Sequence, residues 1–142
     1  MPYDRIIPIE FNHCDPAGIV FYPRYFEMTN SVCENFFADV VGRSYARIIA
    51  DGDGIPTVRL EVSFRAPSRL GEKLRFRLWI TGVGRSSVDC RIVASCAGET
   101  RIEVVKRLVW LGGGMRAAPW PDEMRAVLQA QMEGDGDDRQ SA

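Results

Sequence analysis

Between Pro23 and Gly42 the chain carries apolar side chains on more sides than an ordinary surface helix can tolerate. Tyr25, Met28, Val32, Phe36 and Val40 form one stripe at helical spacing, and Phe26, Cys33 and Phe37 widen it. Only Glu27, Glu34 and Asp39 mark a side that reaches water. Pro23 suits the first helical position, where its missing N–H costs nothing, and Gly42 is a plausible stop. A helix of this kind has to be wrapped by the rest of the chain.

The remaining sequence supplies the wrapping, because the apolar period changes from 3.6 to 2. Val58, Leu60, Val62 and Phe64 alternate with polar residues, as do Leu74, Phe76, Leu78 and Ile80, and then Val88, Cys90, Ile92, Ala94 and Cys96. These read as half-buried strands. A fourth strand is expected over Thr100–Leu111, but Ile102 and Val104 fall on one face while Val105, Val109 and Leu111 fall on the other. A bulge near Val104–Lys106 and a strand covered on both faces both fit. Tyr3–Phe11 reads as an additional first strand, with Pro8 marking an edge or an irregular start. Ser44–Ala50 suits one or two helical turns, and Pro121–Met132 a further helix.

The 142 residues therefore predict an α+β class, a single domain over 1–132 with one antiparallel sheet around one helix, followed by an acidic, flexible tail over 133–142. A single sheet leaves edges and apolar faces uncovered, so a homodimer or homotetramer is expected.

Charge and cysteine usage narrow the partners. Residues 57–110 hold 11 basic and 5 acidic side chains although the whole chain is at −1. A basic block attracts phosphorylated ligands, but no nucleic-acid reader motif accompanies it, so nucleic acid is not expected. Cys14, Cys33, Cys90 and Cys96 lack metal-site spacing and His13 is the only histidine, so no metal is expected. With no apolar run approaching a membrane span and no apolar N-terminal core, the sequence reads as cytoplasmic, with no membrane partner.

Asp15 leads the candidates for chemistry. Asp15-Pro16-Ala17-Gly18 is turn chemistry, and a turn-forming carboxylate is the plain structural reading. The loop also delivers that carboxylate to a helix N-terminus, where free N–H groups and the dipole favour developing negative charge. A carboxylate facing such a site is the minimum equipment for acyl transfer: it attacks a carbonyl or activates water, while the backbone N–H of Tyr22 or a neighbour holds the oxyanion.

The other candidates carry two readings each. His13 and Cys14 are adjacent in an extended segment and point apart, so a Cys–His pair is awkward, although His13 can orient a substrate. Tyr22, Phe26 and Asn30 recur every four residues; packing explains Phe26, whereas Asn30 on that line needs an internal partner or a polar group on a bound acyl chain. Arg85 and Ser86, following Gly84, suit either phosphate contact or a solvated turn.

The run IEFNHCDPAGIVFYPRYF closely resembles the N-terminal signature of the 4-hydroxybenzoyl-CoA thioesterase family. VSFRAPSRLGEKL and the GRSS turn extend the resemblance more loosely, to roughly residues 6–110. The resemblance implies a hotdog fold, in which the sheet wraps the helix, two protomers pair and active sites lie at their interface. It further implies an acyl-CoA thioester substrate, 4-hydroxybenzoyl-CoA-like or otherwise aromatic among the options. Asp15 would act as nucleophile or general base, and no cofactor is implied apart from the coenzyme A of the substrate. Tyr22 matches the branch with Tyr in place of His, and His13 departs from the acidic or small residue usual there. The basic middle region then becomes a surface for the coenzyme A phosphates. Two alternatives share the fold: a hydratase or dehydratase, which pairs its carboxylate with a His where this chain has Val20, and a non-catalytic acyl-CoA binding protein.

Overall fold

Five runs of alternating sequence form one antiparallel sheet in the computed structural model, which describes residues 2–141. The strands are β1 (Tyr3–Pro8), β2 (Thr57–Phe64), β3 (Lys73–Val83), β4 (Ser87–Cys96) and β5 (Glu99–Val109), in the spatial order β1-β3-β4-β5-β2. Edge position suits β1, since Pro8 has no N–H to give a second neighbour. β1 is shorter than the sequence suggests: after Ile9 the chain bends into a 3-10 turn at Phe11–His13. Phe11, expected to continue the strand's apolar face, points to solvent.

Helix α1 (Arg24–Phe36) begins one residue after Pro23 and lies across the sheet. Its Tyr25, Met28, Val32, Cys33 and Phe36 are buried against alternate residues of β3, β4 and β5, among them Phe76, Ile92 and Ile102. A π turn at Phe37–Val41 prolongs it to Gly42, whose φ of 86° ends the helix in a left-handed conformation that glycine adopts without a Cβ clash. Helix α2 (Tyr45–Ala50) follows, capped by the Ser44 hydroxyl accepting from the Arg47 N–H.

Beyond β5 a small ribbon that the glycine run had concealed, β6 (Leu111–Gly112) with β7 (Arg116–Ala117), leads to α3 (Asp122–Ser141). Met124 and Leu128 of α3 join the core beside Trp120, which stacks on Phe37 and tilts against Trp110. The acidic stretch from 135 onward, expected as a tail, lies outside the residues whose side chains are described.

Two strands differ from expectation. β5 has neither a bulge near Val104–Lys106 nor two covered faces: its register with β4 runs unbroken from Ile102 to Val109. The confusion came from Lys106, which occupies an inward position opposite Cys90 and is only 4% exposed. The Cys90 thiol lowers the Cys33 thiol below its ordinary value by hydrogen bonding, and Lys106 acts in the same direction. β2 was expected to be half-buried, yet on its helix-facing side Val58, Leu60 and Phe64 are 57%, 40% and 51% exposed. It is the far edge strand, and α1 reaches it at the Phe64 end, where the Tyr25 ring lies 6.1 Å from the Phe64 ring.

Candidate active site

The Asp15 loop is a hairpin in miniature. Cys14 bridges Val20, the Asp15 N–H donates to the Ile19 carbonyl at 2.9 Å, and the Gly18 N–H donates to the Asp15 carbonyl at 3.0 Å. Gly18 closes the turn at φ 80°, a conformation that disfavours other residues. One carboxylate oxygen, Oδ1 of Asp15, accepts the Ala17 N–H at 2.8 Å. The turn-forming role is therefore real, and it occupies one oxygen. Asp15 stands half-buried at a shallow pocket of about 300 Å³ whose wall includes Asn12, Cys14, Phe21 and Arg24.

The second strand of this hairpin leads directly into α1. Tyr22 is exposed, and its ring meets Phe21, Phe26 and Phe64 edge to face, with centroids 5.6, 6.5 and 6.0 Å apart. Its carbonyl already accepts from Tyr25 in the first helical turn. Among the described residues its own N–H meets no acceptor. It precedes the Pro23 cap, just ahead of the first turn of α1.

His13 faces elsewhere. Its Nδ1 accepts the Glu10 N–H at 2.9 Å, which leaves the proton of the neutral ring on Nε2. The ring lines a separate groove of about 240 Å³ between β1 and α1, with Arg5, Met28 and Ser31; Asn12 touches both this groove and the Asp15 pocket. Phe26 is half-buried as packing requires. Asn30 lies on the exposed side of α1, which removes the internal partner from its two readings, and Thr29 is a polar residue buried on the helix.

Arg85 and Ser86 sit in the β3–β4 turn, at the opposite end of the sheet from Asp15. Leu70 donates to the Gly18 carbonyl and Ile9 donates to the Glu72 carbonyl, which ties the Asp15 loop to the Lys73 end of β3. The 11 residues of β3 then separate it from Arg85, about 30 Å at the usual rise. The Arg85 carbonyl accepts from the Trp120 N–H at 3.0 Å and from Arg125 Nη2 at 2.9 Å, while its side chain is exposed. In a single chain Tyr22 and Phe26 meet, Asp15 sits in the hairpin whose second strand leads to them, and Arg85 and Ser86 lie at the far end of the sheet.

Sequence reasoning missed the groups that support the loop. Arg101 on β5 is 6% exposed and grips both carboxylate oxygens of Glu72, at 2.7 and 2.9 Å. It also donates to the Pro67 carbonyl at 3.0 Å. Ser68 Oγ lies 3.4 Å from Arg101 Nη1 and accepts the Tyr25 hydroxyl at 2.9 Å. Hydrogen bonds from Arg101, and then from the Arg69 N–H, hold the Glu72 carboxyl down at about 2, and burial pushes the Tyr25 phenol up. Ser68 and Glu72 fall within the run VSFRAPSRLGEKL, but nothing in their spacing pointed to Arg101.

Among the described residues no cluster of His, Cys, Asp and Glu side chains is arranged to hold a metal ion, and no helix is long and apolar enough to cross a membrane.

Comparison with known proteins bears on this geometry. Similar solved structures include three with TM-scores above 0.8. A hypothetical protein from Thermus thermophilus is 25% identical, with a TM-score of 0.84 over 91% of this chain and 98% of its own. The 1,4-dihydroxy-2-naphthoyl-CoA thioesterase from Synechocystis is 20% identical, with a TM-score of 0.82 over 91% and 96%. A Staphylococcus aureus protein solved in complex with CoA is 10% identical, with a TM-score of 0.87 over 94% and 85%. No curated protein matches the chain. The five-stranded sheet around one long helix is thus the hotdog fold. Residues 9–128 match the Thioesterase-like superfamily, and the chain belongs to that family of thioester hydrolases.

Proposed function

We propose that the protein hydrolyses an acyl-CoA thioester at Asp15, releasing a free acid and coenzyme A. The observation that carries this reading is a loop carboxylate, one oxygen of which is spent on the Ala17 N–H, in a hairpin whose second strand runs on to the unpaired Tyr22 N–H just ahead of α1. In the general-base route a water oxygen bonds to the thioester carbon while Asp15 takes its proton. The oxyanion rests on the Tyr22 N–H and the helix dipole. Collapse then breaks the C–S bond, and the leaving thiolate recovers the proton from Asp15. In the nucleophilic route Asp15 itself bonds to the carbon, expels the thiolate and forms an anhydride that water opens. His13, held in the other groove by the Glu10 N–H, is not beside Asp15 as a hydratase would need, and this favours hydrolysis.

The active unit in this reading is a homodimer joined along β2. The Thr57 end of β2 lies near the Arg85 turn, since Val109 donates to the Pro56 carbonyl and pairs with Ser87. Its Phe64 end touches Tyr22. Antiparallel pairing of β2 with its copy across a two-fold axis sets the Phe64 end of one protomer against the Thr57 end of the other. Arg85 and Ser86 of one protomer then approach Asp15 of its partner, and the phosphates of coenzyme A bind to them. The same pairing covers Val58, Leu60 and Phe64.

Substrate choice follows from the aromatic rings around the loop. Tyr22, Phe26 and Phe64 offer edges and faces to an aryl acyl group, and Asn30 offers an amide to a polar substituent at its far end. The aromatic thioester in the Synechocystis neighbour's name supports the same class, of which 4-hydroxybenzoyl-CoA is a simple member. Thiol release by the purified protein, measured over aromatic, short-chain and long-chain acyl-CoAs, tests the reading. Preference for the aromatic thioesters is the expected result, and no hydrolysis of any would refute it.

A further inference from the structure

Beyond its own cross-bonds, the Asp15 hairpin is tied to the rest of the fold through the 67–72 turn. Val20 donates to the Ser68 carbonyl at 2.9 Å, Leu70 donates to the Gly18 carbonyl at 3.0 Å, and Ile19 bridges Arg69. The first turn of α1 hangs there too, through the Tyr25 hydroxyl on Ser68 Oγ. The turn is gripped from behind by one guanidinium, that of Arg101, which reaches Glu72 with two nitrogens and the Pro67 carbonyl and Ser68 hydroxyl with one of them. Glu72 returns the grip by accepting the Arg69 N–H at 2.6 Å, and its other oxygen takes the Cys96 thiol at 3.8 Å. The Arg101 carbonyl accepts the N–H groups of Arg65 and Ala66, fixing where the turn leaves β2.

We propose that Arg101 is a positioning residue for Asp15: acting through Glu72 and Ser68, it fixes the Asp15 loop relative to the Tyr22 N–H at the head of α1. This rests on the reading of Asp15 as the reacting carboxylate. A planar fork suits the task because it locks the geometry of both Glu72 oxygens, which the single ammonium of a lysine cannot do. Arg101 touches neither substrate nor reacting atoms in this scheme. Its effect is therefore on the alignment of Asp15 with the thioester rather than on binding, and small misplacements of a reacting group are costly.

Two variants in the full chain test it. Arg101→Lys keeps the charge, and Arg101→Met with Glu72→Leu removes both partners so that neither is left buried and unpaired. For each, kcat and KM are measured on the best acyl-CoA, and backbone hydrogen exchange is followed in segment 14–22 and, as a control, in β4. The expected result is a kcat loss of about ten- to a hundredfold with KM changed less than about threefold. Faster exchange in 14–22, with β4 unchanged, should accompany it. Wild-type kcat, or unchanged exchange in 14–22, in whichever of the two variants folds would overturn the proposal. Should the unmodified protein hydrolyse no thioester, the reading of Asp15 fails on that result alone. The exchange arm still decides whether Arg101 holds the loop.

Discussion

Tyr22 and Phe64 meet edge to face at 6.0 Å, joining the head of α1 to the last residue of β2. The proposed oxyanion donor and the exposed edge of the sheet are thus in contact, so chemistry and assembly share one corner of the fold.

At the reacting group, Asp15→Asn keeps the side chain's shape and its bond from the Ala17 N–H but cannot serve as base or nucleophile. We expect kcat to fall at least about a hundredfold, with ligand affinity and oligomeric state unchanged. Thiol release from a responsive acyl-CoA, with coenzyme A titrated by calorimetry, provides the check; near-full activity would take Asp15 out of the mechanism.

A charge on the open edge should separate the protomers. Leu60→Glu places a carboxylate on the helix-facing side of β2, at a position 40% exposed in the single chain and covered in the proposed dimer. Sedimentation should show a shift to monomer, and hydrolysis should fall with it. A dimer that survives this change is not joined through β2.

Arg85→Ala should raise KM for acyl-CoA more than for a pantetheine thioester that lacks the nucleotide phosphates. Mixing makes the test sharper. In a mixed dimer of Asp15→Asn with Arg85→Ala subunits, one site carries both changes and the other carries neither if Arg85 serves its partner's Asp15. Activity at low acyl-CoA should then recover to about a quarter of wild type once half of the dimers are mixed, since each mixed dimer retains one intact site of two. No recovery would place Arg85 outside the partner's site.

Acid should loosen the Arg101 clamp in a defined window. The Glu72 carboxyl titrates at about 2 in the folded protein against an ordinary value of 4.5. Its folded value is depressed, so its contribution to stability is complete above about 4.5 and is lost as pH falls toward 2. Thermal melts across that range should lose midpoint more steeply for the wild type than for the Arg101→Met, Glu72→Leu double variant. Parallel curves would show that the pair is uncoupled from folding.

Lys106 offers a change in the other direction. Its ammonium is buried opposite Cys90 and forms no salt bridge to a carboxylate among the described residues. Lys106→Met keeps an unbranched side chain one atom shorter and removes the charge, so we expect an equal or higher urea midpoint. A loss of more than about 1 kcal/mol, the scale of an ordinary hydrogen bond, would show that Lys106 contributes more through its thiol contacts than its burial costs.

The sequence made the greasy helix and the alternating strands legible because their periods are set by geometry. It told which face of β2 is apolar, but alternation cannot say what covers that face, and within one chain only Val62 and the Phe64 end find neighbours. One lysine at an inward position was enough to disguise the register of β5. At the candidate site, Asp-Pro-Ala-Gly announced its turn, and local order alone nominated Asp15 and Tyr22. Asn30 has no internal partner among the described residues because a four-residue spacing drifts around a 3.6-residue helix, away from the buried stripe. Arg101 was invisible because its partners lie some thirty residues away in sequence, and an arginine on a strand ordinarily faces water.

The open face of β2 also bears on how the chain survives before it is assembled. A strand with Val58, Leu60 and Phe64 uncovered and one hydrogen-bonding edge free is a template that any other extended chain could join. The opposite face of the same strand carries Arg59, Glu61, Ser63 and Arg65. Charges at this spacing act as gatekeepers, since a chain stacking out of register would bring like charges together. The alternation that once read only as half-buried strand is therefore also a safeguard against aggregation in the interval between synthesis and pairing.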